Sequence, residues 1–214
     1  MNVKKATKEY YKYFSELDGN DHIASVFAIE IILKLTSVYK PKSILELGLG
    51  IGSVSYSIID FLTNNNIKFS YYGTENNAFC LQELPKNLKK KFKKIKLHNE
   101  FKDFQSDLIF DFIIIDGSDD SLQEIKDFVS KRAVIFVEGY RIEQVKFIRS
   151  IFPKSIFTSV ISDFKNPELG PFDSDKWSGG GQLIFINPSF KQKFHRFYLR
   201  MLTSIKYKIT RKIK

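Results

Sequence analysis

The chain of 214 residues contains a single cysteine, one tryptophan and three histidines. One cysteine excludes an intramolecular disulfide and leaves no set of thiolates for a zinc site. No uninterrupted apolar run approaches the ~18 residues that a membrane-spanning helix requires. The N-terminal segment also lacks the apolar core of a secretory signal. We therefore expect a protein of a reducing compartment, located in the cytoplasm.

Hydrophobic residues make up 43% of the chain and charged residues 27%, which is close to the average of globular proteins and argues against disorder. The length suits one domain with one core. We predict three parts: an N-terminal cap segment over residues 1–20, a main domain over 21–188 and a C-terminal helix over 189–214.

The net charge of +10 is concentrated in two segments. Nine lysines or arginines and no acid follow Ser189, and seven lysines without an acid lie between Lys86 and Lys96. The remainder of the chain has more acidic than basic residues. An anionic partner would therefore meet one of these two segments rather than the body of the protein.

Short apolar runs alternate with amphipathic segments along the chain. The runs that we predict as strands are residues 43–47, 69–74, 95–98, 110–115, 133–137, 156–161 and 182–186. Such alternation is typical of a parallel sheet covered on both faces. We predict an α/β fold: a doubly wound, Rossmann-like, seven-stranded and mostly parallel sheet with helices on both faces. A helix over residues 22–39 would begin at Asn20 or Asp21 as its N-cap.

A glycine-rich turn follows the first predicted strand, where Glu46 precedes Gly48, Gly50 and Gly52. Glycine lets the backbone turn sharply and approach a ligand, and the helix that follows offers unpaired N–H groups and a partial positive charge. In a dinucleotide fold the third glycine comes three residues after the second. Ser53 stands at that position here, so the spacing departs from the dinucleotide pattern.

The segment from Ile44 to Gly52 resembles motif I of the class I methyltransferases that depend on S-adenosylmethionine (SAM), and the resemblance covers roughly residues 22–187. It implies that Glu46 approaches the α-ammonium group of SAM and that the backbone from Gly48 to Gly52 approaches its carboxylate. Ser53 is included in this predicted cofactor site. The alternative is a tight turn without a ligand.

Three further residues, Glu75, Asn76 and Asn99, are predicted to bind the cofactor at the ends of the next strands. Glu75, followed by Asn76, ends the second strand, where an acid can accept hydrogen bonds from both ribose hydroxyls. Asn99 follows the third strand, where the resembled family often has a polar residue near the adenine. The alternatives are an N-cap at Glu75 and an ordinary turn at Asn99.

Asp116 and Glu138 end the fourth and fifth strands, which are predicted neighbours in the sheet. A hard cation such as Mg²⁺ could bridge such carboxylates to a substrate oxygen. The arrangement resembles the metal-dependent O-methyltransferases, although Asp119 stands where those enzymes often have a Lys or His base. We predict Asp116 and Asp119 as catalytic residues and Asp116 and Glu138 as metal ligands. Alternatively, Asp116 lines the SAM pocket and Glu138 makes local hydrogen bonds.

Two segments at the margins of the domain have open interpretations. The irregular loop over residues 163–181, which contains Trp177, is either a lid over the acceptor or a structural loop. The N-terminal aromatic residues, among them Tyr10 and Phe14, either cover the site or pack on the body. His98 and His195 are poor candidates for a base, since we expect both to be solvated.

The C-terminal segment has apolar residues spaced by three or four, namely Phe190, Phe194, Phe197, Met201 and Ile205. An aromatic face beside many Lys and Arg is typical of a helix in an anionic membrane interface. The same composition suits nucleic acid, and packing on the body is a third interpretation.

From these features we expect a methyltransferase that uses SAM to methylate an oxygen of a small or glycan-type acceptor, peripheral at the inner membrane face. An RNA methyltransferase that grips phosphate with its two basic segments is the first alternative. A catalytically silent module that binds SAM and scaffolds a membrane complex is the second.

Overall fold

The computed structural model describes residues 2–105, 107–117 and 122–211. Within them one sheet contains seven strands: β1 (Ser43–Leu47), β2 (Ser70–Thr74), β3 (Ile95–His98), β4 (Phe110–Ile115), β5 (Val129–Glu138), β6 (Ile156–Ile161) and β7 (Gly180–Phe185). The α-helices of the described residues are α1 (Val3–Ser15), α2 (Val26–Tyr39), α3 (Ser53–Asn64), α4 (Ala78–Leu88), α5 (Ile142–Ile151) and α6 (Phe190–Ile205).

The strand order is β3-β2-β1-β4-β5-β7-β6. Strands β1 to β5 pair in parallel, and β7 is antiparallel to both β5 and β6. This confirms the predicted doubly wound, mostly parallel sheet. The chain reverses its direction of travel across the sheet between β1 and β4, and a ligand crevice forms outside the carboxyl ends of the strands at such a point.

Each face of the sheet has its own apolar core, because successive side chains of a strand point to opposite faces. Ile44 and Phe136 belong to the core under α1, α2 and α3. Leu45 and Ile135, one position away along the same strands, belong to the core under α5. The central strands are therefore buried on both faces, which explains why their sequences are apolar without alternation.

Strand β5 begins four residues earlier than predicted, at Val129 instead of Ala133. Phe110 pairs with Val129 while Phe112 pairs with Val134, so the register shifts between the two pairs. Such a bulge inserts unpaired residues into one strand. The polar residues of this insertion hid the first part of β5 in the sequence.

The N-cap of α2 is Ser25, and the sequence prediction of Asn20 or Asp21 is wrong. The Ser25 hydroxyl accepts a hydrogen bond from the backbone N–H of Ala28 at 3.2 Å. Residues 20–22 instead form a separate 3₁₀ turn after Gly19. By length and a mean hydropathy of 1.5, the stretch Asn20–Tyr39 is the one candidate membrane span within the described ranges, and 61% of its window is buried inside the protein.

Helix α1 packs on the body, as one of the two sequence interpretations predicted. The rings of Tyr10 and Phe14 make edge contacts with Tyr56 of α3, at centroid distances of 5.7 and 5.5 Å. The Tyr10 hydroxyl donates a hydrogen bond to Asp60 Oδ2 at 2.5 Å. These contacts place the N-terminal aromatic residues against α3, where they extend the core.

Helix α6 lies along β6, which is an edge strand of the sheet. Side chains of α6 and of the π-helical turn that follows it (Lys206–Thr210) donate hydrogen bonds to backbone carbonyls of alternate β6 residues. Those bonds run from Arg196 to Phe157 at 3.1 Å, from Thr203 to Ser159 at 2.9 Å and from Lys206 to Ile161 at 3.3 Å. Unpaired groups of an edge strand invite pairing with another chain. The helix therefore covers an edge that would otherwise be open.

Two more contacts hold α6 to the body. His195 Nδ1 and the Tyr39 hydroxyl share a hydrogen bond of 2.7 Å. The Gln192 amide donates to the carbonyl of Arg132 at 2.9 Å. The expectation that His195 is simply solvated is wrong, since its ring is half-buried and bonded to α2.

We predict that Thr203→Val lowers the free energy of unfolding by about 1 kcal/mol, because it removes the hydroxyl that bonds the β6 edge while keeping the shape of the side chain. Thr203→Ser, which keeps a hydroxyl, should lose less. Urea unfolding followed by circular dichroism measures both variants. Equal stability of Thr203→Val and the wild type would show that the edge carbonyl is satisfied equally well by water.

Candidate active site

A cavity of about 1050 Å³ lies outside the carboxyl ends of β1, β2 and β4. Ligand pockets usually have volumes of about 300–1,000 Å³, so this one has room for a large cofactor. Six of the predicted cofactor residues line it: Gly48, Gly50, Glu75, Asn76, Asn99 and Asp116. The structure thus brings together at one place residues that are up to 68 positions apart in the chain.

Two glycines of the turn are needed for different reasons. Gly50 has φ +54°, and a Cβ there would overlap the carbonyl oxygen of His22. Gly52 has φ +99°, and a Cβ there would overlap Leu88 of α4. Gly50 therefore allows the 3₁₀ turn at His22 to lie close to the glycine turn. Gly52 allows α4 to pack against the same turn through Leu88.

Gly52 and Ser53 do not line the cavity in this structure. The Ser53 hydroxyl accepts a hydrogen bond from the backbone N–H of Ala24 at 3.0 Å, which ties α3 to the segment before α2. Ser53 is only 3% exposed. That Gly52 or Ser53 contacts the cofactor stays a prediction. In this structure Gly52 allows Leu88 to pack closely, and Ser53 joins α3 to the segment before α2.

Glu46 lies beneath the turn and is 1% exposed. The Tyr71 hydroxyl of β2 donates a short hydrogen bond to its Oε2 atom. Burial, with smaller contributions from the nearby Asp116 and Glu75, raises the pKa of Glu46 well above its usual range. Glu46 is not among the cavity-lining residues, so its predicted contact with an ammonium group is a prediction that this arrangement does not support.

The Glu75 carboxylate is held by three backbone N–H groups. Gly50 donates to Oε2 at 2.7 Å, and Asn76 and Asn77 donate to Oε1 at 2.9 and 2.8 Å. The N-cap of α4 is Asn77, whose side chain accepts hydrogen bonds from the backbone N–H groups of Phe79 and Cys80. Glu75 is therefore not a helix cap. It joins the glycine turn to the end of β2 and keeps a fixed carboxylate in the cavity wall.

Asp116 and Glu138 share a hydrogen bond between their carboxyl groups. Burial is the main cause that raises the pKa of both, and Asp116 raises that of Glu138 further, well above the usual range. Glu138 Oε1 also accepts a hydrogen bond from the Ser25 N–H at 3.3 Å. The larger rise in the pKa of Glu138 favours its protonated form, which can donate a hydrogen bond to Asp116.

Arg141 connects the ends of the two strands. Its guanidinium donates to the carbonyl of Asp116 at 2.8 Å and to the carbonyl of Glu138 at 3.1 Å. Arg141 Nη2 also lies 3.6 Å from Asp116 Oδ1. The positive charge lowers the pKa of Asp116 and opposes the effect of burial. The net effect is a raised pKa, which makes the Asp116 carboxylate a stronger proton acceptor than an exposed one.

The predicted metal site at Asp116 and Glu138 has little support in this arrangement. A shared proton and the Arg141 guanidinium already engage these carboxyl groups. In residues 2–105, 107–117 and 122–211, no three His, Cys, Asp or Glu side chains come together in a way that could hold a metal. Asp119, the other predicted catalytic residue, lies outside the described residues.

Sequence reasoning missed several residues of the cavity wall. Asp21, His22 and Ile23 reach it from the 3₁₀ turn, which was assigned to the start of a helix. Arg141 follows Glu138 by three positions, and a cation so close to a strand-end acid was the available signal. Cys80 is a neutral wall residue, because burial first, then Glu75 and Asp21, raise the pKa of its thiol to about 11.

The loop over residues 163–181 is folded against the C-terminal segment. Lys165 and Trp177 form an isolated antiparallel bridge, and the Arg211 guanidinium lies over the Trp177 ring at 5.0 Å. Trp177 lines a second cavity of about 670 Å³ instead of the first. The loop therefore borders the second cavity and does not line the first.

The sheet order, the turn after β1 and the crevice beside it define the fold of the class I SAM-dependent methyltransferases. The O-methyltransferase of Bacillus cereus, solved with S-adenosylhomocysteine, superposes with a TM-score of 0.59 at 12% identity, over 85% of this chain and 90% of that one. The O-methyltransferase TomG of Streptomyces achromogenes, solved with SAM, gives 0.60 at 14% identity over 85% and 90%.

A protein of Pyrococcus horikoshii provisionally assigned as an RNA methyltransferase superposes with a TM-score of 0.56 at 16% identity, over 85% of this chain and 96% of that one. No protein-family model and no curated protein sequence matches the chain. At identities this low, the superpositions establish a common fold. The resemblance to class I methyltransferases that motif I indicated is therefore confirmed for the fold.

We predict that Glu46→Gln becomes more stable relative to the wild type as the pH rises above 4.5, the usual pKa of the group. The folded wild type keeps the Glu46 proton where the unfolded chain has lost it. Its stability therefore falls as the pH rises toward the elevated pKa, whereas Gln does not titrate. Urea unfolding at pH 5 and pH 8 measures the difference.

The exposed variant Glu143→Gln is the control for Glu46→Gln, since the Glu143 side chain is 79% exposed and should show no such trend. A pH-independent difference between Glu46→Gln and the wild type would contradict the buried, protonated carboxyl.

Proposed function

We propose that this protein is a SAM-dependent methyltransferase that methylates an oxygen of a small acceptor. The observation that supports it best is the chemistry of the first cavity, where several carboxylates line the wall beside the glycine turn. SAM carries a sulfonium and an ammonium cation as well as a carboxylate. Four acidic residues line this cavity, namely Asp21, Glu75, Glu100 and Asp116, and they suit the two cations.

The donors and acceptors of the wall suit the remaining parts of SAM. Each oxygen of the Glu75 carboxylate can accept more than one hydrogen bond, so ribose hydroxyls can bind while the backbone bonds persist. The backbone of Gly48 and Gly50 lines the cavity beside this carboxylate, and the N–H groups of these glycines donate to Thr74 and Glu75. Asn99, at the end of β3, is placed to meet an adenine edge.

SAM supplies a methyl group that is already activated, so the protein has to position the acceptor and remove its proton. Asp116 is the proposed proton acceptor, because it lines the cavity, lies 3.6 Å from Arg141 and has a pKa that burial raises. As the acceptor oxygen gains the methyl group, its proton passes to the Asp116 carboxylate. Arg141 and Glu138 act as positioning residues, since each contacts Asp116.

The proposed acceptor is a hydroxyl compound, as the similar structures and the chemistry of the site favour. Two of the similar structures are O-methyltransferases by name, and a third is provisionally an RNA methyltransferase. A carboxylate at the reacting edge favours a hydroxyl acceptor, which needs a proton acceptor. We therefore retain the proposal of a small or glycan-type hydroxyl compound.

We also propose that α6 rests on an anionic lipid surface. The residues of α6 that contact the body or are buried there, Gln192, Arg196, Leu199 and Thr203, follow one helical stripe. The opposite stripe is apolar and exposed: Phe190 by 85%, Phe194 by 66%, Phe197 by 62% and Met201 by 45%. Lys191, Lys193 and Arg200 are exposed on the same helix, so the charge of this face complements anionic headgroups.

The nucleic-acid alternative is less well supported. The two lysine-rich segments lie at opposite edges of the sheet, next to β3 and next to β6. Several lysines of the first segment already have partners: Lys91 pairs with Asp60 at 3.1 Å, and Lys96 donates to the Tyr72 hydroxyl at 2.7 Å. A single phosphate-binding groove would need free cations side by side.

We predict that the wild type binds SAM in a calorimetric titration and that Gly50→Ala weakens binding at least about tenfold, which is about 1.4 kcal/mol. The new methyl group would strain a backbone with positive φ by about 1–3 kcal/mol and push the 3₁₀ turn from the wall. Glu143→Gln, an exposed carboxylate on α5, should bind SAM as the wild type does.

Absence of SAM binding by the folded wild type, with normal binding of NAD, would overturn the proposed cofactor. SAM binding without methyl transfer to any fraction of a cell extract, followed with labelled SAM, would favour the silent module. At saturating SAM, which compensates for any loss of cofactor affinity, Asp116→Asn should lower the rate of transfer by at least about a hundredfold, the usual contribution of a general base.

We predict that Phe194→Ser combined with Phe197→Ser abolishes flotation with vesicles that contain phosphatidylglycerol, because it removes two exposed aromatic anchors. Deletion of the whole segment is unsuitable, since it would also uncover the β6 edge. Phe147→Ser, which removes an aromatic residue that is 40% exposed on α5, is the matched control. Flotation of the double variant at the wild-type level would contradict a membrane surface at α6.

A further inference from the structure

The second cavity, of about 670 Å³, lies beside the first at the same edge of the sheet. It is bounded by the ends of β5 and β6, the start of β7 and the turn that follows α6. Gly139 and Tyr140 line the second cavity, and the next residue, Arg141, lines the first. Residues 139–141 thus lie between the two spaces, and this loop directly follows Glu138.

The wall of the second cavity is apolar in its centre. Val160 and Ile161 of β6, the Trp177 ring and Tyr207 contribute side chains, and Gly181 contributes bare backbone. A Cβ on Gly181 would point into the core and overlap the buried Phe136 ring, so this residue contributes only backbone to the cavity wall. A flat ring or a short hydrocarbon segment fits such a surface.

The rim of the second cavity is positively charged. Lys208 and Arg211 line it, and no acid is among the described residues of its wall. Arg211 is fixed in place, because its Nε donates to the carbonyl of Ser162 at 3.3 Å and its guanidinium stacks over Trp177. The charge is opposite to that of the first cavity, where acidic residues predominate.

We infer that the second cavity holds the non-reacting part of the methyl acceptor and that the acceptor is an anionic amphiphile. Its apolar ring or chain lies against Trp177, its anionic group lies at Lys208 and Arg211, and its hydroxyl extends past the loop of residues 139–141 to Asp116 in the first cavity. The role as acceptor rests on the proposed methyl transfer. The binding of an anionic amphiphile rests on the cavity alone. The opposite charges of the two cavities separate the cationic cofactor from the anionic acceptor, so each ligand is disfavoured in the other's site.

Trp177 is the only tryptophan of the chain, so its fluorescence reports occupancy of this cavity. The probe is 8-anilinonaphthalene-1-sulfonate, an anionic amphiphile, and its neutral analogue is N-phenyl-1-naphthylamine. We expect the anionic probe to quench Trp177 and to bind about tenfold more tightly than the neutral one, given two cations at the rim. Saturating S-adenosylhomocysteine should displace neither probe.

Lys208→Glu should weaken binding of the anionic probe by about tenfold and leave the neutral probe unchanged. Lys193→Glu, the same change at an exposed lysine outside this wall, is the control and should affect neither. Ser204→Phe, which adds a ring to the wall, should abolish binding of both probes. Phe194→Ser should leave the quenching intact, which excludes probe bound to the outer face of α6.

Quenching that does not respond to Lys208→Glu or Ser204→Phe, or that S-adenosylhomocysteine reverses, would overturn the inference. Failure of SAM binding together with the expected probe results would contradict the proposed methyl transfer and leave the anion site standing. Normal SAM binding without charge-dependent quenching would contradict the anion site alone.

Discussion

Four neighbouring parallel strands each bring a carboxyl group to one edge of the sheet, and the structure depends on how these groups are accommodated. Glu46, Glu75, Asp116 and Glu138 lie within or directly after β1, β2, β4 and β5. Like charges this close in partly buried surroundings disfavour full ionisation. The protein accommodates them by three means: burial that raises the pKa of Glu46 and Glu138 and so favours their neutral forms, three backbone N–H groups for Glu75, and the Arg141 guanidinium for Asp116.

These means also determine the shape of the site. The hydrogen bond from Gly50 to Glu75 fixes the glycine turn against the end of β2. Glu138 accepts a hydrogen bond from the backbone of Ser25, the N-cap of α2, and so holds the 3₁₀ turn that precedes this helix near the cavity wall. The interactions that satisfy the carboxyl groups are therefore the same ones that assemble the walls of the first cavity. A cationic ligand fits there because the site retains an excess of acidic groups.

The two sides of α6 have different surroundings: one packs on the body of the protein and the other is exposed. Its inner stripe bonds the carbonyls of β6 and covers the edge of the sheet, while its outer stripe exposes aromatic residues. The sequence predicted the helix and its aromatic stripe, since spacings of three and four are visible without a structure. It could not predict which stripe packs on the body. The inner stripe consists mainly of polar residues, and their partners are carbonyl groups of β6 that are far away in the sequence.

The fold was largely predictable because strand and helix periodicity are local properties. All seven strands overlap the apolar runs that predicted them, although β5 begins four residues and β7 two residues earlier than predicted. The site was predictable where it follows a strand end, as for Gly48, Glu75 and Asp116. Contacts between distant segments were not, and so the 3₁₀ turn at His22 and the buried position of Glu46 were missed. The sequence by itself determined the order of strands and helices and the residue types at their ends. Only the tertiary structure decided which carboxyls keep a proton, which residues face the cavity and which side of α6 is exposed, because those properties depend on burial and on neighbours far away in the chain.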